Sequence, residues 1–428
     1  MQTFIIQSLF WFKRRRFVGI VNRTFRSLFP FILLASIIRV INFSLFTEYS
    51  YVSQIFSISS WLSVPLAGRI MGNFVGLIEG ITGLLTTYFA AKYTAEFYVK
   101  DSEMAGITGL IFSLILDSRE IFSGILNDGD LTHVNLPTTI NLVLAVFIGY
   151  FIGLIFKWTS VKDITAQDYP SKRIRPVTIS LFLAVFINAL LYLASIANIN
   201  STISSFLTNL TTAGGHTLSS LSSAFFLSLF TWTGMTSSFS MLSPVDDTYF
   251  SSNLSYALQN HTTSGIPYPY TTTTLYQGFG AFGGVGSILA LLFAILWVSK
   301  NQRDIRISLF SLFPTLFNSS GAFLLGVPVM FNVVYFLPFV TLPLVNMVIA
   351  RIILAFHLMP ALVYPVPSGT PSPLIAFVGT GGSLRALALG CLIFALNVLI
   401  YIPFVKLDNR LREKMERSEE SEVGHEKS

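Results

Sequence analysis

The chain has 428 residues, is 52% hydrophobic and only 11% charged, and carries a formal net charge of +6. Ordinary soluble domains hold about 25% charged residues, so this composition excludes a soluble enzyme and implies an integral membrane protein. A single cysteine excludes a disulfide framework within the chain, no Cys/His cluster suggests a metal, and no cofactor is expected.

The N-terminal segment 1–26 does not read as a signal peptide, because its basic cluster follows the first apolar run and no small-residue cleavage site closes it. An interfacial amphipathic helix held by Lys13, Arg14, Arg15 and Arg16 fits it, with those charges on the cytoplasmic side. A helix of about 20 apolar residues crosses the hydrocarbon core. Five candidates make up a first transmembrane half, 27–200: 27–47, 60–90, 104–116, 138–157 and 176–197. A second half, 201–405, holds apolar runs at 217–242, 282–299, 306–317, 322–340, 341–359 and 385–405. Lys92, Lys157, Lys300 and Lys406 each open or join a basic stretch that follows one of these runs. The positive-inside rule then puts both termini in the cytoplasm and makes 406–428 a charged, solvated tail.

Two stretches of the second half do not read as simple spans. The segment 243–281 is polar, aromatic and rich in turn residues, and it is long for an idle loop. The run 306–317 is too short to span and is followed by "NSSG", which reads as a re-entrant hairpin. Non-helical backbone at membrane depth must face protein or water, and transporters place substrate sites at such breaks. The expected architecture is an all-α polytopic membrane protein with about ten transmembrane helices and two re-entrant hairpins, the second half forming a substrate cavity.

The stretch from "GGVGS" to "PLVN" resembles the enzyme IIC sugar permeases of the phosphotransferase system, in their lactose/cellobiose (diacetylchitobiose) branch. Gly283, Gly284, Gly286, Leu316, Phe317, Asn318, Gly326, Pro328, Asn332, Pro338, Phe339 and Pro343 fall in register with that family's motifs. "GTGGSLRAL" and "YIPFVK" look like its closing segments, and looser likenesses cover the first half. The resemblance implies a sugar permease of the bacterial cell membrane. It implies a homodimer joined through the first half, with a soluble phosphocarrier subunit of the enzyme IIB type as partner. Two signatures depart from the family. Its Asn-Glu-Pro aligns with Ser320, Gly321 and Ala322, and its Gly-Ile-His-Gly with Gly234, Met235, Thr236 and Ser237, so both the glutamate and the histidine are missing. A carboxylate would accept charge-assisted bonds from two sugar hydroxyls. Without it, the candidate substrate contacts are neutral: Thr236, Ser237, Asn318, Ser319, Ser320, Gly321 and Asn332. The losses leave a second reading open, a non-transporting membrane sensor or scaffold with a regulator at the Lys300–Arg306 turn or the C-terminal tail.

No catalytic residue is assigned. Arg39, Arg69, Glu79, Arg351 and Arg385 lie in or beside apolar spans, where pairing or function is the default reading; for Arg69 and Glu79, structural pairing is favoured. His133, His216, His261 and His357 read as loop or interfacial histidines, Asp246 and Asp247 as outer-surface residues, and Cys391 as a small packing residue. "GFGAFGGVGS" lacks the Lys-Ser/Thr ending and the preceding strand of a phosphate loop, so its glycines read as sites of close packing.

Overall fold

The computed structural model describes residues 2–47, 50–57, 64–128, 141–159, 171–196, 216–235, 248–263 and 265–426. The described residues are helical, and their one extended pairing is the isolated bridge between Ser50 and Ser368. In chain order the first half consists of α1 (Gln2–Lys13), α2 (Arg16–Leu45), α3 (Tyr51–Phe56), α4 (Val64–Phe97), α5 (Ser102–Asp128), α6 (Leu142–Thr159) and α7 (Ser171–Ile196). The second half begins with α8 (His216–Thr233), α9 (Thr248–Asn260), a π-helix (Thr273–Gly280) and α10 (Ile288–Val298). It continues through α11 (Gln302–Leu316), α12 (Gly321–Gly326), α13 (Val333–Ala355), α14 (Ile375–Gly379) and α15 (Leu384–Glu426).

Among the described residues, seven helices are long and apolar enough to cross a membrane: Arg16–Leu45, Leu66–Phe97, Leu142–Thr159, Ile174–Leu191, Thr273–Val298, Val333–Ala355 and Leu384–Met415. Other expected runs do not meet that measure among the described residues, for local reasons. The helix α5 carries "DSRE" within its length, α8 is rich in Ser and Thr, and α11 is only 15 residues long. The two runs expected at 322–340 and 341–359 are a six-residue helix and one long helix instead. The chain breaks after Gly326, where Val327 is extended and Phe331 takes φ 58°, and then runs unbroken through Pro338 and Pro343. The first span also begins earlier than expected. Only Arg14 and Arg15 separate α1 from a helix that continues to Leu45 through Pro30.

Small residues set the packing of the first half. A side chain at Gly149 would stand 2.6 Å from Ala90 Cβ, and one at Gly153 would stand 2.3 Å from Thr94 Cβ, so α6 lies directly on α4. Gly109 of α5 meets Ala91 and Thr87 in the same way. Without a hydrophobic drive between helices in lipid, close backbone approach at such residues carries the association. Glu79 of α4 pairs with Arg39 of α2 rather than with Arg69, which is exposed. The helix α2 also joins the halves, because its Phe25, Leu28 and Ile32 share one core with Phe323, Leu324, Met330 and Phe339.

The last helix departs from the solvated tail expected after Lys406. It continues to Glu426, and Asp408 and Leu411 are buried. Cys391 is exposed on this helix rather than packed inside.

Candidate functional site

The site is assembled where helices stop. Leaving the π-helix, the chain passes through Gly283, Gly284 and Gly286, with φ of 74°, 113° and 78°. These angles are open to glycine at little steric cost. Opposite this loop, α11 ends at Leu316, Asn318 turns the chain with φ 64°, and α12 starts at Gly321. Asn is among the few non-glycine residues that adopt this left-handed conformation readily. The two breaks touch. A side chain at Gly284 would lie 2.8 Å from Ser320 Oγ, and one at Gly283 would lie 3.0 Å from the Thr315 carbonyl oxygen.

Three other elements pin the glycine loop. The Gly283 amide donates to Ser372 Oγ at 2.8 Å, and the Tyr401 hydroxyl of α15 donates to the Gly286 carbonyl at 2.6 Å. Asn346 of α13 donates to Ser287 Oγ at 3.2 Å. Ser372, Tyr401 and Asn346 are positioning residues that sequence reading missed. Asn346 and Tyr401 are lone polar residues in apolar runs and Ser372 lies in a turn-rich stretch, and only the fold reveals their common target.

Several polar atoms around the contact are buried without a hydrogen-bond partner: Ser311 Oγ, Thr315 Oγ1, Asn318 Oδ1, Ser319 Oγ and both amide atoms of Asn397. Leaving a buried polar group unpaired costs about 1–3 kcal/mol, and native proteins tolerate few such groups. Asn397 lies one helical turn before Tyr401 and three residues after Phe394, which packs on Phe282, so it stands level with the glycine loop. The arrangement is an uncharged set of unused donors and acceptors inside the protein, where a hydroxyl-bearing molecule could satisfy them. Its tip is closed, with Ser319 only 1% exposed.

Of the residues singled out from the sequence, Asn318, Ser319, Ser320 and Gly321 come together at this tip. Asn332 does not join them. Its side chain caps α13 by accepting from the Val334 amide at 3.1 Å, and it donates to Asp408 at 3.4 Å. Thr236 and Ser237 lie outside the described residues, as do His133, Asp246 and Asp247. The helix preceding Thr236 is placed, however. The Trp232 carbonyl accepts from the Phe331 amide at 3.3 Å, and a side chain at Gly234 would meet Met330 at 2.7 Å. Gly234 therefore sits against the segment that links α12 to α13.

Asp408 belongs to a second polar centre at the end of the bundle where the basic residues gather. Lys13 pairs with it at 2.5 Å, and Arg412 bridges Asp408 at 2.8 Å and Asp304 at 2.7 Å. Burial pushes the Asp304 carboxyl above the ordinary carboxylate range, against the pull of Arg412. Burial likewise lowers Lys13, opposed by Asp408. This centre ties α1, α11 and the start of α13 to the last helix. The sequence signal for it was an acidic residue inside each of two basic stretches, "NQRDIR" and "KLDNRLR".

Helices long and apolar enough to cross the membrane, with broken segments meeting around buried neutral polar groups, define a multi-pass membrane protein. The profile of the family described as "Phosphotransferase system, EIIC" matches residues 22–343. The chain belongs to that family.

Among its curated relatives, a cellobiose-specific EIIC component of Lactococcus lactis subsp. lactis (strain IL1403) is 35% identical over 138 residues, which is 32% of this chain and 28% of that protein. A lactose-specific EIICB component of Staphylococcus aureus is 33% identical over 141 residues, covering 33% of this chain and 25% of that protein. These alignments thus span about a quarter of each relative's length. A crystal structure of ChbC, the IIC component of the N,N'-diacetylchitobiose-specific phosphotransferase system, aligns over 95% of this chain and 96% of that one, with 17% identity and a TM-score of 0.39.

Proposed function

We propose that this EIIC protein carries a sugar across the cell membrane, and that the neutral tip at Thr315–Gly321, facing the glycine loop, contacts the sugar hydroxyls. The observation that carries this reading is the group of buried, unpartnered polar atoms on Thr315, Asn318 and Ser319. Their combined cost is removed when a ligand supplies donors and acceptors. The cellobiose- and lactose-specific relatives favour a β-linked disaccharide class. Membership of a transport family also favours this reading over a non-transporting sensor.

In this reading α11 and α12 form a re-entrant hairpin, and a second dips in from the 243–281 region. Thr236 and Ser237 complete the contacts from the side of Gly234, while Asn332 holds the hairpin's return and does not touch the sugar. Both termini face the cytoplasm in this reading, which the clustered Lys and Arg residues support. Two copies associate through the first half. A soluble phosphocarrier of the IIB type phosphorylates the sugar on the cytoplasmic side; the S. aureus relative is named as an EIICB component.

The test is binding and counterflow of cellobiose and lactose by the purified chain in liposomes. Asn318→Gly is the informative variant, because it keeps the left-handed turn while removing the amide, whereas a leucine there would add backbone strain. Binding should weaken by about 1–3 kcal/mol. Saturable binding unaltered by both Asn318→Gly and Ser319→Ala would remove the tip from the substrate path. No uptake of any sugar, with or without a phosphocarrier, would return the sensor reading.

A further inference from the structure

We infer that a groove between α2 and α11 is a binding site for one anionic phospholipid, with its phosphate held by Arg26, Arg303 and Arg306. The groove has a volume of about 390 Å³, and its other walls include Phe29, Ile307 and Phe310. Positions 303, 306, 307 and 310 are spaced i, i+3, i+4 and i+7, so they share one face of α11. Residues 26 and 29 stand one turn apart on α2. The face is ordered by polarity: arginines lie toward the start of α11, and the apolar side chains lie further along it. Phe310 is 62% exposed on the lipid-facing outside. That is the order of a phospholipid, head to tail.

Among the described residues, the cationic end forms no direct ion pair: no carboxylate lies within ion-pair distance of Arg26, Arg303 or Arg306. The nearby carboxylates are committed elsewhere, Asp304 to Arg412 and Asp408 to Lys13 and Arg412. Arg26 Nε is buried and has no hydrogen-bond partner at all. Two arginines converging from different helices repel each other, and an Arg side chain with an unused buried donor is suited to bidentate binding of a phosphate. Arg26 and Arg303 also line a larger polar cleft of about 720 Å³, so the headgroup can reach water while the chains stay in lipid. The depth of the apolar end is set by Gly326 of α12, where a side chain would meet both Phe29 at 2.5 Å and Ile307 at 2.6 Å. The groove therefore touches the back of the same α11–α12 segment that carries the proposed sugar tip. Basic pockets between helices at the cytoplasmic leaflet recognise anionic headgroups by this chemistry.

The experiment compares the full-length purified protein with dioleoyl-phosphatidylglycerol, dioleoyl-phosphatidylcholine and inorganic phosphate. Lipid retention is read by native mass spectrometry and stability by apparent melting temperature. The wild type should retain phosphatidylglycerol in preference to phosphatidylcholine and melt higher with it, while millimolar phosphate should neither raise the melting temperature nor displace the lipid. The Arg303→Gln/Arg306→Gln double variant changes exposed side chains. It should lose phosphatidylglycerol affinity by about tenfold or more, at roughly 1 kcal/mol per arginine. Lys300→Gln, altering an exposed residue outside the groove, should retain the lipid unchanged. Equal retention of the two lipids, retention unaffected in the double variant, or full competition by inorganic phosphate would each overturn the assignment. Loss of a phosphorylated carrier protein from the double variant, with lipid retention intact, would assign the groove to that partner instead.

Discussion

The helix α4 and the successive helices α11 and α12 both bury hydroxyl side chains in an apolar surround, but they satisfy them differently. In α4, Thr82, Thr86, Thr87 and Thr94 each donate to the carbonyl four residues earlier, at 2.6–3.2 Å. Nothing polar is left over, and the helix can lie against α6 along a seam of Gly, Ala and Thr. In α11 the same device operates once, from Ser308 to Asp304, and then stops. Ser311 and Thr315 leave their hydroxyls unpaired, and the break at Asn318 adds two more unused polar atoms. The contrast separates a region built to hold its shape from one built with unused hydrogen-bonding capacity.

The largest expected effect tests the first region. Glu79→Ala strands Arg39 of a half-buried pair in the first half; removing one partner of a fully buried pair costs about 3–5 kcal/mol, and the loss here should lie toward the lower end of that range. The apparent melting temperature in detergent should fall sharply, and Arg39→Met combined with Glu79→Leu should recover most of the loss. A single variant as stable as the wild type would mean that the pair is water-solvated, and that α4 is no more rigidly built than α11 and α12.

Next comes Gly286→Ala in the second region. The new methyl would stand 2.4 Å from the Phe339 ring, at a residue with φ 78°. Overpacking costs about 1–3 kcal/mol, and left-handed backbone adds about 1–2 kcal/mol. Binding of sugar should be lost along with stability, because the Gly286 carbonyl would be displaced from Tyr401. Full sugar binding in this variant would show that the glycine loop does not shape the site.

A smaller and more discriminating effect comes from paired hydroxyl deletions. Ser319→Ala removes an unpartnered oxygen, so the sugar-free protein should be as stable as the wild type or slightly more so, while sugar binding weakens by about 1–3 kcal/mol. Thr86→Val removes a hydroxyl already satisfied by its own helix and should leave sugar binding alone. Titration calorimetry against melting curves separates the two outcomes. If both variants behaved alike, the distinction between the regions would lose its functional meaning.

How much of this was legible in the sequence differs by region as well. Hydropathy located the long helices, because twenty apolar residues in lipid have few alternatives. The break at "NSSG" was legible for the same reason: Asn318, Ser319 and Ser320 interrupt an apolar run with groups that need partners. The direction of Asn332 was not legible because motif register says nothing of it; its amide serves as a helix cap and a partner to Asp408. The last helix was read as solvated past Lys406 because local charge density is high there. What it lacked was the knowledge that Asp304, 104 residues before Asp408 in the chain, supplies the carboxylate that lets Arg412 be buried. Pairings of that separation are set by the fold and leave no local pattern.

That same centre yields the smallest effect, a pH dependence. Burial raises Asp304 above the usual carboxylate range, so the folded protein holds this proton more tightly than the unfolded chain does. Between the ordinary and the raised value, the folded state binds more protons, and stability falls as pH rises. The Asp304 contribution is therefore most favourable in acid and is lost as pH rises through its folded value. In Asp304→Asn the contribution is absent, so the wild type should gain on the variant as pH is lowered from 7 toward 4. The melting-temperature difference measured across that interval fixes the sign. A wild type that instead lost ground to the variant in acid would mean that the attraction of Arg412 outweighs burial, and that the end of α11 is held by a solvated ion pair rather than sealed against the last helix.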